Sequence, residues 1–175
     1  MVSAFHDPDS VLPDASGRGS IAEAYLFFAQ GVEVEVDTET GIVKVQEVVS
    51  CHDVGKVINP VEAEGQVQGS VHMGIGHALT EEIVREKGRI SNPNFLNYVI
   101  PSSAQMPRIK IMFVEKPEVS GPLGAKGIGE PAIAGIAAAI GNAIYDAVGV
   151  RMKTLPMGPE KVLAELRNCG STKKD

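Results

Sequence analysis

The chain of 175 residues has few cysteines and no cluster of basic residues. Its two cysteines, Cys51 and Cys169, show no paired spacing, which excludes a disulfide framework and an iron–sulfur or zinc site built from this chain alone. The longest basic run is the pair Lys173 and Lys174, and the formal net charge is −6. Because proteins that bind nucleic acid present basic surfaces to its phosphates, we expect no nucleic-acid partner.

Long apolar runs are also missing. The most apolar uncharged stretch, between Glu130 and Asp146, has fifteen residues, fewer than the roughly 20 that cross a bilayer. The N-terminus carries His6, Asp7 and Asp9 instead of a basic segment that leads into an apolar one, which predicts no secretory signal. We therefore expect a cytoplasmic protein without a membrane span.

The remaining composition is that of an ordinary globular protein, with 43% hydrophobic and 22% charged residues, and it predicts one packed domain. Residues 1–20 are rich in Pro, Asp, Ser and Gly without periodicity, and they predict an extended arm. The domain is expected over 21–168 and a flexible tail over 169–175.

Hydrophobic periodicity predicts an α+β fold, with a mixed or antiparallel sheet and packed helices. Alternating residues over 32–37 and a β-branched run over 42–49 predict a hairpin with a positive φ at Gly41. Helix and strand signals along the rest of the chain predict a helix over 60–82, a strand over 109–115, a glycine loop over 121–130, a helix over 131–147 and a last helix from Pro159.

The first predicted helix contains four glycines, Gly65, Gly69, Gly74 and Gly76. Each costs about 1 kcal/mol relative to Ala, so roughly 4 kcal/mol must be offset by other interactions. Three of them, at 65, 69 and 76, share one face and form a groove with Gln66 at its edge. Tight helix packing and the approach of a ligand both explain this pattern.

The second unusual segment, 121–131, places four glycines ahead of an apolar helix. Such a backbone can present its amides to an anion, and a phosphate-bearing ligand is one candidate. Lys126 is followed by Gly and not by Ser or Thr, so the segment is not a Walker A motif. The order of Gly124, Gly127 and Gly129 is the reverse of GxGxxG, and generic nucleotide binding therefore has little support.

Glu130 ends this loop and precedes Pro131. The proline is expected to push Glu130 out of the helical region, and the following helix presents its positive end to the carboxylate. Glu130 is then either a fixed base at the mouth of the loop or only a charge that complements the helix dipole. His72 and His77 are five apart and do not share a helical face for a metal, so no metal ligand is assigned.

The motifs occur in a family-like order over residues 15–168. The chain thereby resembles the C-terminal end of the molybdenum-binding subunit of the xanthine dehydrogenase and aldehyde oxidase family, on four segments: Asp53-x-Gly55-x-x-x-Asn59-Pro60, Gly65-Gln66-x-x-Gly69, Gly74-Ile75-Gly76 and Gly124-Ala125-Lys126-Gly127-Ile128-Gly129-Glu130-Pro131-Ala132. The fold that this resemblance implies is the C-terminal molybdopterin-binding domain of molybdenum hydroxylases.

The resemblance implies that Glu130 stands beside the molybdenum as the general base. It also implies that Gln66, Lys126, Gly127 and Ile128 contact the molybdopterin, in its cytosine dinucleotide form and shared with a partner chain. The reaction implied is hydroxylation of an N-heterocycle, purine or nicotinate-like, or of an aldehyde, with water as the oxygen source. FAD and 2Fe-2S centres are expected on other subunits.

Two residues depart from the family pattern, Ser70 in place of a glycine and Met73 in place of a glutamine, and one polar contact to the cofactor is in doubt. The chain is also much shorter than a usual molybdenum subunit, although it begins with Met1. We therefore expect a split subunit whose larger half is another polypeptide. Two other hypotheses stay open: a non-catalytic chain that completes the large subunit, and a stand-alone module that binds a phosphate ligand.

Overall fold

A computed structural model describes residues 2–5, 10–22 and 24–171, without the side chains of 170 and 171. The chain forms a hairpin of β1 (Phe28–Val36) and β2 (Val43–Asp53), paired antiparallel with one bulge between Glu33 and Val34. Gly41 has a φ of 77° at the turn, which glycine adopts without steric cost. The predicted hairpin is confirmed, with β1 beginning earlier and β2 ending later than predicted.

The long glycine-containing helix is α1 (Pro60–Leu79). The Asn59 side chain accepts the N–H of Glu62, and Pro60 occupies the first turn, as expected of a helix start. The helix ends three residues before its predicted bound, because the N–H groups of Thr80 and Glu81 both turn back to the carbonyl of Gly76.

Two strands of two residues follow, β3 (Arg85–Glu86) and β4 (Arg89–Ile90), which the sequence analysis does not predict. They form an antiparallel pair around Lys87 and Gly88, both with positive φ. Such a turn twists in the same sense as the strands that it joins.

The third strand of the main sheet is β5 (Arg108–Val114), which lies parallel to β2. The sheet order β1-β2-β5 therefore puts β2 in the centre. A parallel pair needs a long crossover, and here that crossover contains α1 and residues 80–107. The sheet is mixed, and the predicted α+β class is confirmed.

The helix predicted over 131–147 is divided into α2 (Pro131–Ala134) and α3 (Ile136–Val148). The break follows from a tertiary contact: the Gln30 side chain donates to the carbonyl of Ala132 at 2.7 Å, which an uninterrupted helix would use internally. A Cβ at Gly135 would lie only 2.8 Å from the Phe28 ring, so glycine also allows this close packing.

The stretch 131–148 is long and apolar enough to cross a membrane by length and composition, and 22% of it is buried. Its stripe of Ile136, Ile140 and Ile144 is fully buried in the core, as expected of an amphipathic helix that packs on a sheet. The core of the domain lies between the inner face of the sheet and these helices, and α1 contributes Val67, Val71, Ile75 and Ala78 to it.

The last helix is α4 (Pro159–Ser171), and it begins where predicted. It therefore includes residues 169–171 of the predicted tail, and 172–175 lie outside the described residues. The predicted arm is described at 2–5 and 10–20, where Val11 and Ser20 form an isolated bridge. His6, Asp7 and Asp9, and positions 1 and 23, also lie outside the described residues.

Candidate functional site

The glycine loop is tied to the end of β2 by a buried ion pair. The ammonium of Lys126 lies 2.7 Å from Asp53 Oδ2, and the two side chains are 7% and 10% exposed. The same ammonium donates to the carbonyl of Tyr25 at 3.1 Å. Removal of one partner from such a pair leaves an uncompensated buried charge, so the pair holds the loop against the sheet.

The hydrogen bond from Lys126, followed by one from the N–H of Gly55, lowers the pKa of Asp53 below its ordinary value, against the opposing effect of burial. The stability that Asp53 contributes is therefore present above its unfolded-state pKa, about 3.9, and is lost as pH falls through the lower folded-state pKa.

The backbone reinforces this attachment. Lys56 N–H donates to Gly124 O at 2.8 Å, and Lys126 N–H donates to Val54 O at 2.9 Å. Gly55 has a φ of 65°, and a Cβ there would clash with the carbonyl oxygen of Gly124. The motif that begins at Asp53 and the glycine loop therefore pack directly against each other. Neither Asp53 nor Gly55 is assigned a role by the sequence, although both belong to the motif on which the resemblance is based.

A cleft of about 500 Å³ lies between the N-terminal end of α1 and the glycine loop. It brings together three of the five predicted site residues, Gln66, Lys126 and Ile128. The ammonium and N–H of Lys126 are already bonded to other groups, while Gln66 is exposed and makes no side-chain hydrogen bond within the described part of the chain. The Gln66 side chain therefore brings free donors and an acceptor to the cleft lining.

Residues 127–130, here called the open segment, continue the loop after Lys126, and Ile128 among them lines the cleft. None of their four consecutive N–H groups donates to an acceptor among the described residues. A Cβ added at Gly127 or Gly129 would meet no atom within 4 Å. Successive free amides with open space above them can bind the acceptor atoms of a ligand.

Glu130 is exposed, and within the described residues its carboxylate has no hydrogen-bond partner. Its backbone does not have the extended conformation expected of a residue before proline: φ is −117° and ψ is −8°. The physical reason is a local turn, in which the Glu130 carbonyl accepts the N–H of Ile133 at 3.1 Å. The helix at Glu130 has only four residues, so the long helix dipole expected from the sequence does not begin here.

The sequence connects Ser70 with a polar contact to the cofactor, but in the structure its side chain contacts the protein itself. It is 1% exposed, and its hydroxyl donates to the carbonyl of Gly129 at 2.9 Å. The side chain thus fixes the residue before Glu130 from within α1. The contacts of Ser70 and Gln30 could not be predicted from the sequence, because the carbonyls that these side chains bind are 59 and 102 residues away.

The glycines of α1 divide into two pairs. Gly74 and Gly76 are buried, and added Cβ atoms would lie 2.7 Å from Ile136 and would clash with Glu81. Gly65 and Gly69 are exposed, and added Cβ atoms would meet nothing within 4 Å. Close packing therefore explains the second pair of the helix, and the first pair leaves an open surface beside Gln66.

The sequence model of the molybdopterin cofactor-binding domain family matches residues 2–107. This chain belongs to that family. The match begins in the arm, includes β1, β2 and α1, and contains the cleft-lining residue Gln66. The family resemblance given by the motifs is confirmed.

Curated and solved relatives agree with membership of the molybdopterin cofactor-binding domain family. The xanthine dehydrogenase molybdenum-binding subunit of Escherichia coli O157:H7 is 40% identical over 173 residues, 97% of this chain and 23% of that subunit. The nicotine 6-hydroxylase large subunit of Paenarthrobacter nicotinovorans is 40% identical over 134 residues, 74% of this chain and 16% of its own length. The aldehyde oxidoreductase structure from Desulfovibrio gigas has a TM-score of 0.83 and 35% identity, over 90% of this chain and 17% of that one.

The residues present fit a molybdopterin in the way that this domain family implies. The free amides of 127–130, the open space above Gly127 and Gly129 and the unbonded amide of Gln66 supply donors and room on one side of the molecule. Within 2–5, 10–22 and 24–171, no group of three His, Cys, Asp or Glu side chains is arranged to hold a metal ion.

Proposed function

We propose that this chain is the part of a molybdenum hydroxylase that supplies the catalytic carboxylate, Glu130, and one side of the molybdopterin site. The observation that carries the proposal is the open segment: four amides and an exposed carboxylate, beside the cleft, that have no hydrogen-bond partner among the described residues. A ligand held by these amides would lie next to Glu130. The family match supports molybdopterin as that ligand.

Glu130 acts as the general base. In hydroxylation with water as the oxygen source, R–H and water become R–OH, two protons and two electrons. Glu130 takes up one of these protons at its carboxylate and releases it between turnovers. Pro131 restricts the backbone next to it, which favours a carboxylate held in one place, as general-base catalysis requires. When bound, the molybdenum and its pterin accept the two electrons.

The contacts to the cofactor come from Gln66, Lys126, Gly127 and Ile128. Gln66 would use its side-chain amide, and Gly127 and Ile128 their N–H groups. Lys126 would act mainly through its position, because its ammonium and N–H are bonded to Asp53, Tyr25 and Val54. The room above Gly127 and Gly129 is consistent with the cytosine dinucleotide form that the resemblance implies.

The partners are a larger molybdenum subunit, an FAD subunit and a 2Fe-2S subunit in the same complex. The chain spans 23% of the xanthine dehydrogenase subunit that it matches, so most of the cofactor cage belongs to other residues. Iron–sulfur clusters need several cysteine ligands, whereas this chain has two cysteines in all. Electrons would therefore leave through centres on other chains.

The substrate is an N-heterocycle of the purine or nicotinate type, or an aldehyde. Relatives named as acting on xanthine and nicotine support the first class, and the aldehyde oxidoreductase from Desulfovibrio gigas supports the second. A cytoplasmic location agrees with the low cysteine content.

The test is Glu130→Gln in the assembled complex, purified through a tag on this chain. General-base catalysis typically contributes about 10²–10⁴-fold, so we expect turnover of xanthine, nicotinate or benzaldehyde to fall by that factor while molybdenum and pterin contents stay unchanged. Glu86→Gln, an exposed carboxylate on β3, is the matched control and should keep full turnover. Full turnover in Glu130→Gln would refute the catalytic role and favour a chain that only completes the large subunit.

A further inference from the structure

Two side chains outside the proposed chemistry hold the backbone on either side of Glu130. Ser70 of α1 donates to the carbonyl of Gly129 at 2.9 Å, and Gln30 of β1 donates to the carbonyl of Ala132 at 2.7 Å. One bond lies immediately before Glu130 and the other lies two residues after it. The donors belong to different elements of the domain, so the two bonds fix this turn relative to both a helix and the sheet.

The Gln30 amide is itself held in place. Its nitrogen also donates to Ser50 Oγ at 2.9 Å, and that oxygen lies 2.7 Å from His52 Nε2. Ser50 and His52 are 0% and 2% exposed, and burial lowers the pKa of His52, which favours a neutral ring that accepts the Ser50 hydroxyl. Both N–H groups of Gln30 are then committed, one of them to Ala132.

This arrangement leaves the carbonyl oxygen of Gln30 buried without a hydrogen-bond partner among the described residues. A buried acceptor without a donor reduces stability. The neighbouring inward positions of β1 are Val32, Val34 and Val36, so an apolar side chain at 30 would fit this row and have no unpaired oxygen of its own. The unpaired oxygen of Gln30 reduces stability, while its nitrogen fixes the backbone beside a proposed catalytic residue. This combination indicates a positioning role.

Little freedom remains in the backbone at Glu130. Its own carbonyl accepts the N–H of Ile133 at 3.1 Å, and the ring of Pro131 fixes the next φ. Ser70 and Gln30 restrain the carbonyls on either side. These contacts restrain the Cα of Glu130, and the side-chain torsions then set where the carboxylate lies.

We propose that Ser70 and Gln30 are positioning residues that hold Glu130 in its productive place through the carbonyls of Gly129 and Ala132. This inference rests on the proposed role of Glu130 as the base. Neither side chain is expected to touch substrate, so their loss should change kcat and leave KM nearly unchanged. A displacement of about 1 Å can cost up to about 10²-fold in rate.

The first experiment uses Ser70→Ala in the purified complex. We expect kcat to fall about tenfold or more, KM to stay within about twofold, and molybdenum and pterin contents to be unchanged. Hydrogen exchange of the peptide that covers 127–134 should become faster, which is a readout independent of activity. Ser70→Thr keeps the hydroxyl and should retain most of kcat.

The control is Ser91→Ala, which removes a bond of the same kind, from a serine hydroxyl to the carbonyl of Val84 at 3.2 Å, in the segment that follows β4. It should change neither kcat nor exchange over 127–134. Gln30→Met gives a second, independent variant of similar size and should act in the same direction as Ser70→Ala.

The decisive comparison repeats Ser70→Ala and Gln30→Met in the Glu130→Gln background. A residue that acts through Glu130 has no further effect on the residual turnover once that carboxylate is gone, whereas general damage to the domain lowers the rate again by the same factor. Equal losses in both backgrounds, or unchanged kcat in the wild-type background, would overturn the inference. Full turnover of Glu130→Gln alone would instead refute the proposed function, so the two failures are distinguishable.

Discussion

The two halves of the glycine loop each contain two glycines, but they differ in how their backbone N–H groups are used. The first half, residues 121–126, is called the root here. The N–H groups of Gly121, Gly124, Ala125 and Lys126 donate to backbone carbonyls, and the Lys126 ammonium is buried against Asp53. The open segment, 127–130, donates none of its N–H groups to the described part of the chain. The root is therefore attached to the rest of the domain, and the N–H groups of the open segment are available to a ligand.

The glycines show why the two halves differ. Gly124 in the root has a φ of 80°, and a Cβ at Gly121 would clash with the carbonyl of Ala125. Gly127 and Gly129 have no positive φ and no close neighbour. The fold of the chain itself therefore requires glycine in the root but not in the open segment, where small residues leave room for something outside this chain.

The largest effect is expected from Lys126→Met, which breaks the attachment of the root. Asp53 would be left buried without a partner of opposite charge, and loss of one member of a buried pair costs about 3–5 kcal/mol. Chemical denaturation of the purified protein measures this loss. Lys56→Met is the matched control, since its bond to Glu115 at 3.0 Å joins side chains that are 55% and 43% exposed, and it should cost less than about 1 kcal/mol. Equal losses would contradict the difference between the buried and the exposed pair.

A smaller loss of stability should distinguish a glycine that the fold requires from a glycine of the open segment. Gly55→Ala, which faces the root, should lower the free energy of unfolding by about 2–3 kcal/mol, because its φ is positive and the added Cβ meets Gly124. Gly129→Ala should change it by less than about 0.5 kcal/mol and lower the pterin content of the complex. If Gly129→Ala destabilises the protein as much as Gly55→Ala, then the fold itself requires glycine at 129 and the space beside it is not free for a ligand.

The smallest effect concerns pH. Because Lys126 and then Gly55 lower the folded-state pKa of Asp53, the wild type should lose stability as pH falls below about 4, where an ordinary Asp takes up its proton. Asp53→Asn is less stable at neutral pH and lacks this contribution, so the difference between the two proteins should shrink from pH 6 to pH 3. Denaturation curves at several pH values measure it, and a constant difference would show that Asp53 is not held ionised by the root.

Much of the fold follows from local signals. Alternation predicts the hairpin, Asn59 and Pro60 predict the start of α1, and Pro159 predicts the start of α4, because these signals depend on residues near one another in the chain. The break at Gly135 could not be predicted in the same way. It depends on Gln30, which is 102 residues from the carbonyl that it binds.

The candidate site likewise contains residues that local motifs predict and contacts that depend on distant residues. Its members Gln66, Lys126 and Ile128 are found from the motifs, and the structure brings them to one cleft. The partner of the Lys126 ammonium is not found, since Asp53 is 73 residues away. The predicted roles of Glu130 and of the four cofactor-binding residues stay predictions until the variants above are measured.

The amino-acid sequence by itself determined the element types, the family and the loop that carries Glu130, because periodicity, capping residues and motif spacing are properties of neighbouring positions. Only the tertiary structure decided which donors are used and which remain free. Hydrogen bonds and ion pairs between distant segments form when the sheet and helices pack. That packing buries the Lys126 charge and leaves the amides of 127–130 without acceptors among the described residues.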